Sequence, residues 1–306
     1  MNEQPHEKKM EREVRRREQK KSRPLLIAFI IAVAAVVLTL VVVYFTLGFR
    51  YLVFSDGTKF LGRCIGETPQ TGTVYYTDGS SASYDAETQT LTYKNGDVYT
   101  GEMQDFARSG EGKLVSKASG DLYEGAFADN LADGYGKTSF ANGDTYEGAY
   151  VAGKREGEGT YTWADGSVYV GSFKNNLMDG HGFYSGADGS SYDGEYAADL
   201  KNGKGLFHWA NGDTYDGEYV NDVRQGYGVY TWANGESYEG TFYNNKLDTR
   251  VVDPETGAFV QNADGSYQHD KEAVYSWPTD NPDEPKLYTG YFEANKIVQI
   301  AETASA

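Results

Sequence analysis

Apolar residues follow two different rhythms along this chain. From Leu25 to Gly48 they run for 24 residues without a charge, LLIAFIIAVAAVVLTLVVVYFTLG. A helix rising 1.5 Å per residue makes that run about 36 Å long, enough for a hydrocarbon core of about 30 Å. The spacing predicts one transmembrane α-helix over 25–48. Ahead of it stand Lys8, Lys9, Arg12, Arg15, Arg16, Arg17, Lys20, Lys21 and Arg23, a basic flank that predicts a cytoplasmic N-terminus. Tyr44, Phe45, Phe49 and Tyr51 occupy the opposite interfacial belt. A cleaved signal peptide is the rival reading. Its apolar core would be about 7–15 residues before a small-residue site, whereas Ala32-Val33-Ala34 lies in mid-span with apolar sequence beyond it. An uncleaved anchor is preferred, with the rest of the chain outside the cytoplasm. Residues 1–24 read as a solvated basic segment with some affinity for anionic headgroups rather than as a short helix.

After the anchor the rhythm becomes period two, in short bursts separated by glycine-containing turns. A larger period overlies it: Tyr-x-Gly-x-aromatic, then Gly-x-Gly, then Asn/Asp-Gly. Its leading tyrosines are Tyr99, Tyr123, Tyr146, Tyr169, Tyr192, Tyr215 and Tyr238, the first step 24 residues and the next five 23 each. Fixed periodicity of this kind means one supersecondary unit stacked on itself. Within Gly157–Phe173, GEGTYTWADGSVYVGSF, positions 157, 159, 161 and 163 share one strand face, as do 169, 171 and 173 on the next strand.

Loop parity decides whether those two rows share a side. A two-residue Asp165-Gly166 turn pairs Thr162 with Tyr169 and separates them. A three-residue loop, Ala164-Asp165-Gly166 with the glycine left-handed, pairs Tyr161 with Tyr169, Gly159 with Gly171 and Gly157 with Phe173. The second arrangement gathers the aromatics and repeated glycines on one face, and the recurrence of Ala-Asn/Asp-Gly at 141, 187, 210 and 233 supports it. The opposite face then carries Glu147, Ala149, Val170, Ser172, Asp193, Glu195, Asp216, Glu218, Glu239 and Thr241. A lone hairpin is marginal in water, so the units must continue as a meander.

The motifs Tyr146-Glu-Gly-Ala-Tyr150, Gly157-Glu-Gly159-Thr-Tyr161 and Asp165-Gly166, and again Tyr215-Asp-Gly-Glu-Tyr219, Gly226-Tyr-Gly228, Tyr230 and Asn234-Gly235, resemble MORN (membrane occupation and recognition nexus) repeats. The resemblance covers about residues 93–245. It implies an all-β fold, an elongated curved antiparallel β-meander of stacked hairpins of about 23 residues, preceded by the transmembrane α-helix. It also implies a scaffold, a dimerisation surface or a lipid-contacting module; the last fits poorly with an acidic repeat surface. The expected organisation is a basic segment 1–24, the helix 25–48, degenerate repeats 51–98, regular repeats 99–245, a degenerate repeat or cap 246–297 and a disordered tail 298–306. Gly57-Thr-Lys-Phe60-Leu-Gly62 looks like a repeat start, and the copy at Asp78-Gly79 lacks the Gly-x-Gly pair. Asp264-Gly265-Ser-Tyr267 and Tyr288-Thr-Gly290-Tyr-Phe292 look like eroded units around a loop with Pro278, Pro282 and Pro285.

Charge is uneven: +5 over residues 1–50 and −22 over the remainder. The acidic bulk excludes nucleic acid as a partner. Cys64 is the only cysteine, so no intramolecular disulfide exists and the residue reads as a small apolar side chain. No catalytic, cofactor or metal site is expected. His6, His181, His208 and His269 show no metal spacing, with His181 and His208 read as surface residues. No helix follows the Gly-x-Gly pairs, so they cannot make a dinucleotide turn. Asp129-Asn130 and Asp179-Gly180 would bind calcium weakly at most, and the irregular stretch 250–290 is where symmetry-breaking chemistry would be sought. One candidate binding groove remains: Tyr161, Trp163, Tyr184, Phe207, Trp209, Tyr230 and Trp232, read either as core or as a lining for a peptide or polymer. The expected role is a membrane-anchored, non-catalytic scaffold, held in the membrane by residues 25–48, for an unknown protein partner or homo-oligomer. The alternative is an extracytoplasmic module for cell-envelope polysaccharide or peptide.

Overall fold

A computed structural model of the chain describes residues 4–278 and 286–298. It contains one helix followed by an antiparallel strand meander in an open sheet. The chain divides into two units, residues 1–100 and 101–306. The first holds α1 (Gln4–Thr46), β1 (Phe49–Val53), β2 (Lys59–Ile65), β3 (Thr68–Tyr75), β4 (Ser81–Asp85), β5 (Thr90–Tyr93) and the start of β6 (Val98–Gln104). These strands pair with their chain neighbours. Helix α1 runs without a break from the basic segment into the apolar run, so residues 4–24 are helical, contrary to the expectation. Glu, Lys and Arg are good helix formers, and Glu11 and Arg15 have favourable i, i+4 spacing.

In the second unit follow β7 (Ala107–Val115), β8 (Leu122–Ala128), β9 (Leu131–Ser139), β10 (Thr145–Val151), β11 (Lys154–Thr162), β12 (Val168–Lys174), β13 (Leu177–Ser185), β14 (Ser191–Ala197) and β15 (Leu200–His208). After these come β16 (Thr214–Val220), β17 (Val223–Thr231), β18 (Ser237–Tyr243), β19 (Lys246–Leu247), β20 (Ala273–Trp277), β21 (Lys286–Glu293) and β22 (Lys296–Val298). The register between β11 and β12 is the one that the three-residue loop requires: Tyr161↔Tyr169, Gly159↔Gly171 and Gly157↔Phe173. The loop closes by Trp163 N–H donating to Ser167 O at 2.9 Å and Gly166 N–H to Trp163 O at 2.9 Å. Gly166 is left-handed, with φ 91°. The other hairpin of each repeat has two consecutive left-handed residues, such as Asn175 (φ 50°) and Asn176 (φ 74°), the twist-compatible two-residue turn.

The core unit is a tyrosine ring laid across two paired glycines. Tyr169 is fully buried. A Cβ at Gly182 would fall 2.3 Å from its ring, and one at Gly171 2.7 Å from its hydroxyl oxygen. The hydroxyl donates to Ser172 O at 3.0 Å. The ring meets Phe173 and Tyr196 edge-on, with centroids 5.2 Å away in both cases, the arrangement aromatic quadrupoles favour. Tyr146, Tyr192 and Tyr215 repeat this packing. In the first unit the Phe60 ring lies over Gly62 and Gly72 in the same way.

The array does not end at Tyr243. Tyr192 meets Tyr219 and Tyr215 meets Phe242, each 27 residues on; Tyr238 meets Phe292, 54 residues on. The last ring contact therefore spans 27 more residues than the others. Most of them form the stretch between β19 and β20. There Arg250 lies 3.6 Å from the Phe259 ring centroid and is paired with the buried Asp248 at 2.6 Å. Val298 ends β22 rather than opening a disordered tail; residues 299–306, and the loop residues Pro282 and Pro285, lie outside the described residues.

The acidic face contains most of the expected residues, with Glu147, Asp193, Glu195, Asp216, Glu218 and Glu239 exposed. It is not free of aromatics, as parity alone implied. Tyr135, Phe183 and Tyr227 are exposed there, Tyr227 donating to Glu239 at 2.6 Å. Cys64 is buried, and burial raises its thiol pKa, as suits an unreactive side chain.

Two substitutions test this packing in equilibrium urea unfolding. Gly182→Ala is expected to cost about 3 kcal/mol, because the Tyr169 ring has no room to move. Gly166→Ala, in open space, should cost only about 1 kcal/mol of left-handed strain. The buried Tyr219 hydroxyl has no hydrogen-bond partner among the described residues, and Phe173 and Phe242 hold the equivalent place. Tyr219→Phe is expected to raise Tm, by about 1 kcal/mol of added stability; a lowered Tm would contradict that packing.

Candidate functional site

All seven groove residues are half-buried and lie on the ring-bearing face. They form two stacks rather than one groove. In the first, ring centroids are 5.9 Å apart for Phe140–Tyr161, 4.8 Å for Tyr161–Trp163 and 5.6 Å for Trp163–Tyr184. The second runs Phe207–Trp209 at 4.6 Å, Trp209–Tyr230 at 5.2 Å and Tyr230–Trp232 at 4.7 Å. Gly186 stands between them, at the position of Trp163, Trp209 and Trp232. The second stack continues through Trp232–Tyr275 at 5.4 Å and Tyr275–Trp277 at 4.6 Å.

Each stack borders a cleft. One of ≈ 330 Å³ is lined by Tyr161 and Trp163 with Arg155, Phe173, Met178 and Asp199 among others. The larger, ≈ 500 Å³, has Tyr230 and Trp232 with Arg224, Tyr275, Trp277 and Phe292. Tyr184, Phe207 and Trp209 line neither. Sequence reasoning missed Tyr275 and Trp277, although Val274-Tyr-Ser-Trp277 repeats the pattern of Val229-Tyr-Thr-Trp232; the insertion had broken the count. It also missed the cations. The Arg224 guanidinium lies 5.1–5.8 Å from the rings of Tyr230, Trp209, Tyr215 and Phe242. Arg155 is 5.2–5.5 Å from Tyr161, Tyr146 and Phe173. Neither arginine forms a salt bridge among the described residues; Lys201, at the equivalent position of another repeat, pairs with Asp222 at 2.8 Å.

Hydrogen bonds between repeats hold these groups in place. Arg155 N–H donates to Asn176 Oδ1 at 2.8 Å, and Asn176 N–H returns to Arg155 O at 3.0 Å. The same exchange links Arg224 with Asn245 and, beyond the insertion, Leu247 with Asn295. On the loop side Tyr161 donates to Asp144 at 2.6 Å, Tyr230 to Asp213 at 2.6 Å and Tyr275 to Glu236 at 2.7 Å. The Tyr230 hydroxyl holds the Asp213 carboxyl below its ordinary value, helped by the Ala233 N–H. Burial, then the Asp213 hydrogen bond, pushes Tyr230 up to about 12.

The remaining candidates for chemistry are absorbed by the fold. Asn130 accepts from Arg108 N–H at 2.9 Å, and Asp179 from Ala198 N–H at 3.3 Å, so both loops use their side chains to tie turns. His181 is exposed, 3.2 Å from Asp193, and His208 is exposed. In the irregular stretch Thr249, His269 and Glu293 make a hydroxyl–imidazole–carboxylate series at 2.8 and 3.5 Å. Thr249 is fully buried, however, and its hydroxyl also bonds the Phe292 backbone. Among the described residues no group of three His, Cys, Asp or Glu side chains is placed to hold a metal.

The MORN repeat family matches at residues 123–145, 146–168, 169–191, 192–214 and 215–237. Five consecutive copies, residues 123–237, are MORN repeats. They carry both arginines, and the C-terminal unit completes the larger cleft. No curated protein matches the chain. Among solved structures, the TCP10 domain of Danio rerio CPAP in complex with a peptide of Danio rerio STIL is similar at 16% identity, covering 70% of this chain and 97% of that one, with a TM-score of 0.34. The TCP domain of Drosophila melanogaster SAS-4, bound to a proline-rich motif of Ana2, is similar at 17% identity, covering 57% and 92%, with a TM-score of 0.31. At these TM-scores the likeness carries no argument about a ligand of this chain.

Titration tests the placement of the rings. Depressed aspartates such as Asp213 contribute stability above their unfolded value near 3.8 that is lost as pH falls through the lower folded value. Raised tyrosines such as Tyr169, Tyr230 and Tyr275, pushed up to about 12, contribute stability that is complete below 10.0 and lost as pH rises toward 12. Tyrosinate absorbance and loss of sheet circular dichroism should therefore rise together above pH 10.0. Normal, reversible titration of all tyrosines with the sheet intact would contradict the burial.

Proposed function

We propose that the chain is a membrane-anchored, non-catalytic scaffold whose MORN-repeat face binds an extended protein segment. The cleft beside Arg224 carries this reading. It sets a cation without a salt-bridge partner among the described residues against an open stack of tyrosine and tryptophan rings. Aromatic and arginine side chains are the groups that dominate protein recognition. Equivalent groups recur every two strands, about 9.5 Å, which suits a linear occupant carrying carboxylate and apolar side chains. Self-association through the same face fits the same chemistry, and an envelope polysaccharide is the competing occupant.

One helix, Pro24–Tyr44, is long and apolar enough to cross a membrane, with none of the window buried. We read it as an uncleaved anchor in the cell membrane, with the basic flank cytoplasmic and the repeats outside. The expected divisions at 24, 48, 98 and 245 then separate cytoplasmic segment, span, degenerate repeats and regular repeats.

Peptides selected from a random display library on the detergent-solubilised full chain are the test. Arg224→Ala and Trp277→Ala should each weaken the selected peptides about ten-fold or more, while Phe183→Ala on the other face leaves them unchanged. A monomeric chain that selects no peptide, or full competition by soluble envelope glycans, would overturn the protein-binding reading. Protease added outside intact cells should digest the repeats; protection would overturn the orientation.

A further inference from the structure

The strands that follow the anchor differ from the rest of the array on their outward face. In β1 that face presents Phe49, Tyr51 and Val53; in β2, Leu61 and Ile65 alternating with Lys59 and Arg63; in β3, Tyr75 beside threonines. The apolar members are exposed, from 40% at Phe49 to 73% at Ile65. In β4 the same face holds Ser81, Ser83 and Asp85, the first outward carboxylate in the unit's sheet. Apolar character thus fades over four strands, about 14 Å. At the position equivalent to Leu61 the matched repeats carry Glu124, Glu147, Val170, Asp193 and Asp216, four carboxylates in five copies.

The link to the helix is short and fixed. Only Leu47 and Gly48 separate α1 from β1, so β1 begins within about 10 Å of the helix end. Cys64 N–H donates to Gly48 O at 2.8 Å, tying the link to β2. The Arg50 guanidinium sits 4.4 Å from the Tyr44 ring centroid and donates to the Tyr44 and Phe49 carbonyls. A bilayer's headgroup layer extends about 5–8 Å beyond the hydrocarbon. A strand tethered so closely to a membrane span starts in or beside that layer.

We infer that the outward face of β1–β3 is a lipid-docking surface, lying in the headgroup layer beside the anchor, with Tyr51 and Tyr75 at interfacial depth and Lys59 and Arg63 on anionic headgroups. This rests on the anchor reading of α1. Three features converge on it: exposed apolar side chains on an edge strand, interfacial tyrosines flanked by cations, and a short, hydrogen-bonded tether that keeps them beside the span. Lipid is favoured over a second protein because the apolar character decays with distance from the span, and because no carboxylate shares the strand face with the cations before β4.

The test uses the full chain in nanodiscs of phosphatidylcholine with about 30% phosphatidylglycerol. A polarity-sensitive fluorophore is placed at Val53→Cys or Ile65→Cys in a Cys64→Ala background, with Thr92→Cys as the polar control. Doxyl lipids should quench positions 53 and 65 at least about two-fold and leave 92 unchanged. Hydroxyl-radical footprinting of the unmodified chain should agree, with Tyr51, Leu61 and Tyr75 protected relative to exposed Tyr135 and Tyr227. Absence of quenching and protection, in chains that stay in the disc through carbonate washing, overturns the docking surface and leaves the anchor standing. Loss of the chain from the discs on washing overturns both. Protection with energy transfer between copies, and no lipid quenching, makes a second copy the occupant and overturns the lipid assignment.

Discussion

The contact between a tyrosine ring and two paired glycines sets everything else in this protein. A sheet one layer thick has no opposing layer to bury its apolar side chains. Here the missing layer is made by each ring lying down on its own strand and the next. That requires the absence of Cβ atoms beneath it: Gly171 and Gly182 under Tyr169, and their equivalents in the neighbouring repeats. The flattened rings then meet edge to face with rings of the following repeat, so burial in one unit depends on the next. Stability is cooperative along the array for this reason rather than through a common core.

The same economy explains how the array tolerates an insertion and where its candidate site lies. Repeats are joined by ring contacts and by paired hydrogen bonds at their turns. Asn295 satisfies Leu247 as Asn245 satisfies Arg224, although 27 more residues intervene. Chain length between partners matters little once both ends are seated, because loop-closure entropy grows only logarithmically. The inserted stretch supplies its own anchor in the buried Asp248 and Arg250, leaving Tyr275 and Trp277 to extend the stack beside Arg224. The larger cleft is the product of that continuation.

Much of the repeat was legible in the sequence. The period, the three-residue loop, the strand register of Tyr161 against Tyr169 and the carboxylate face all follow from spacing and from the parity of side chains along a strand. Legibility failed wherever the decisive partner was distant. Arg155 and Arg224 occupy positions that also hold Ala132, Met178 and Leu247, so no residue type marks the row. The break at Gly186 is visible in the sequence, but its consequence, two stacks instead of one groove, needs the ring positions. The continuity of residues 4–24 with the apolar helix is hidden by their charge, which suggests a solvated segment although Glu, Lys and Arg are good helix formers.

The sequence by itself determined the repeating hairpin, its sidedness and the presence of one membrane-length apolar helix, since each depends on local geometry: strand alternation, turn stereochemistry and the rise of a helix. Tertiary structure alone decided which residues become a surface with chemical character. It brought Arg224 among rings drawn from four separate strands and loops, recovered Tyr275 and Trp277 across an insertion, and enclosed Thr249 where a hydroxyl beside a histidine would otherwise suggest reactivity. The physical reason is one of range. Local rules act over a few residues and repeat themselves, whereas a cleft is an agreement among side chains tens of residues apart that no period records.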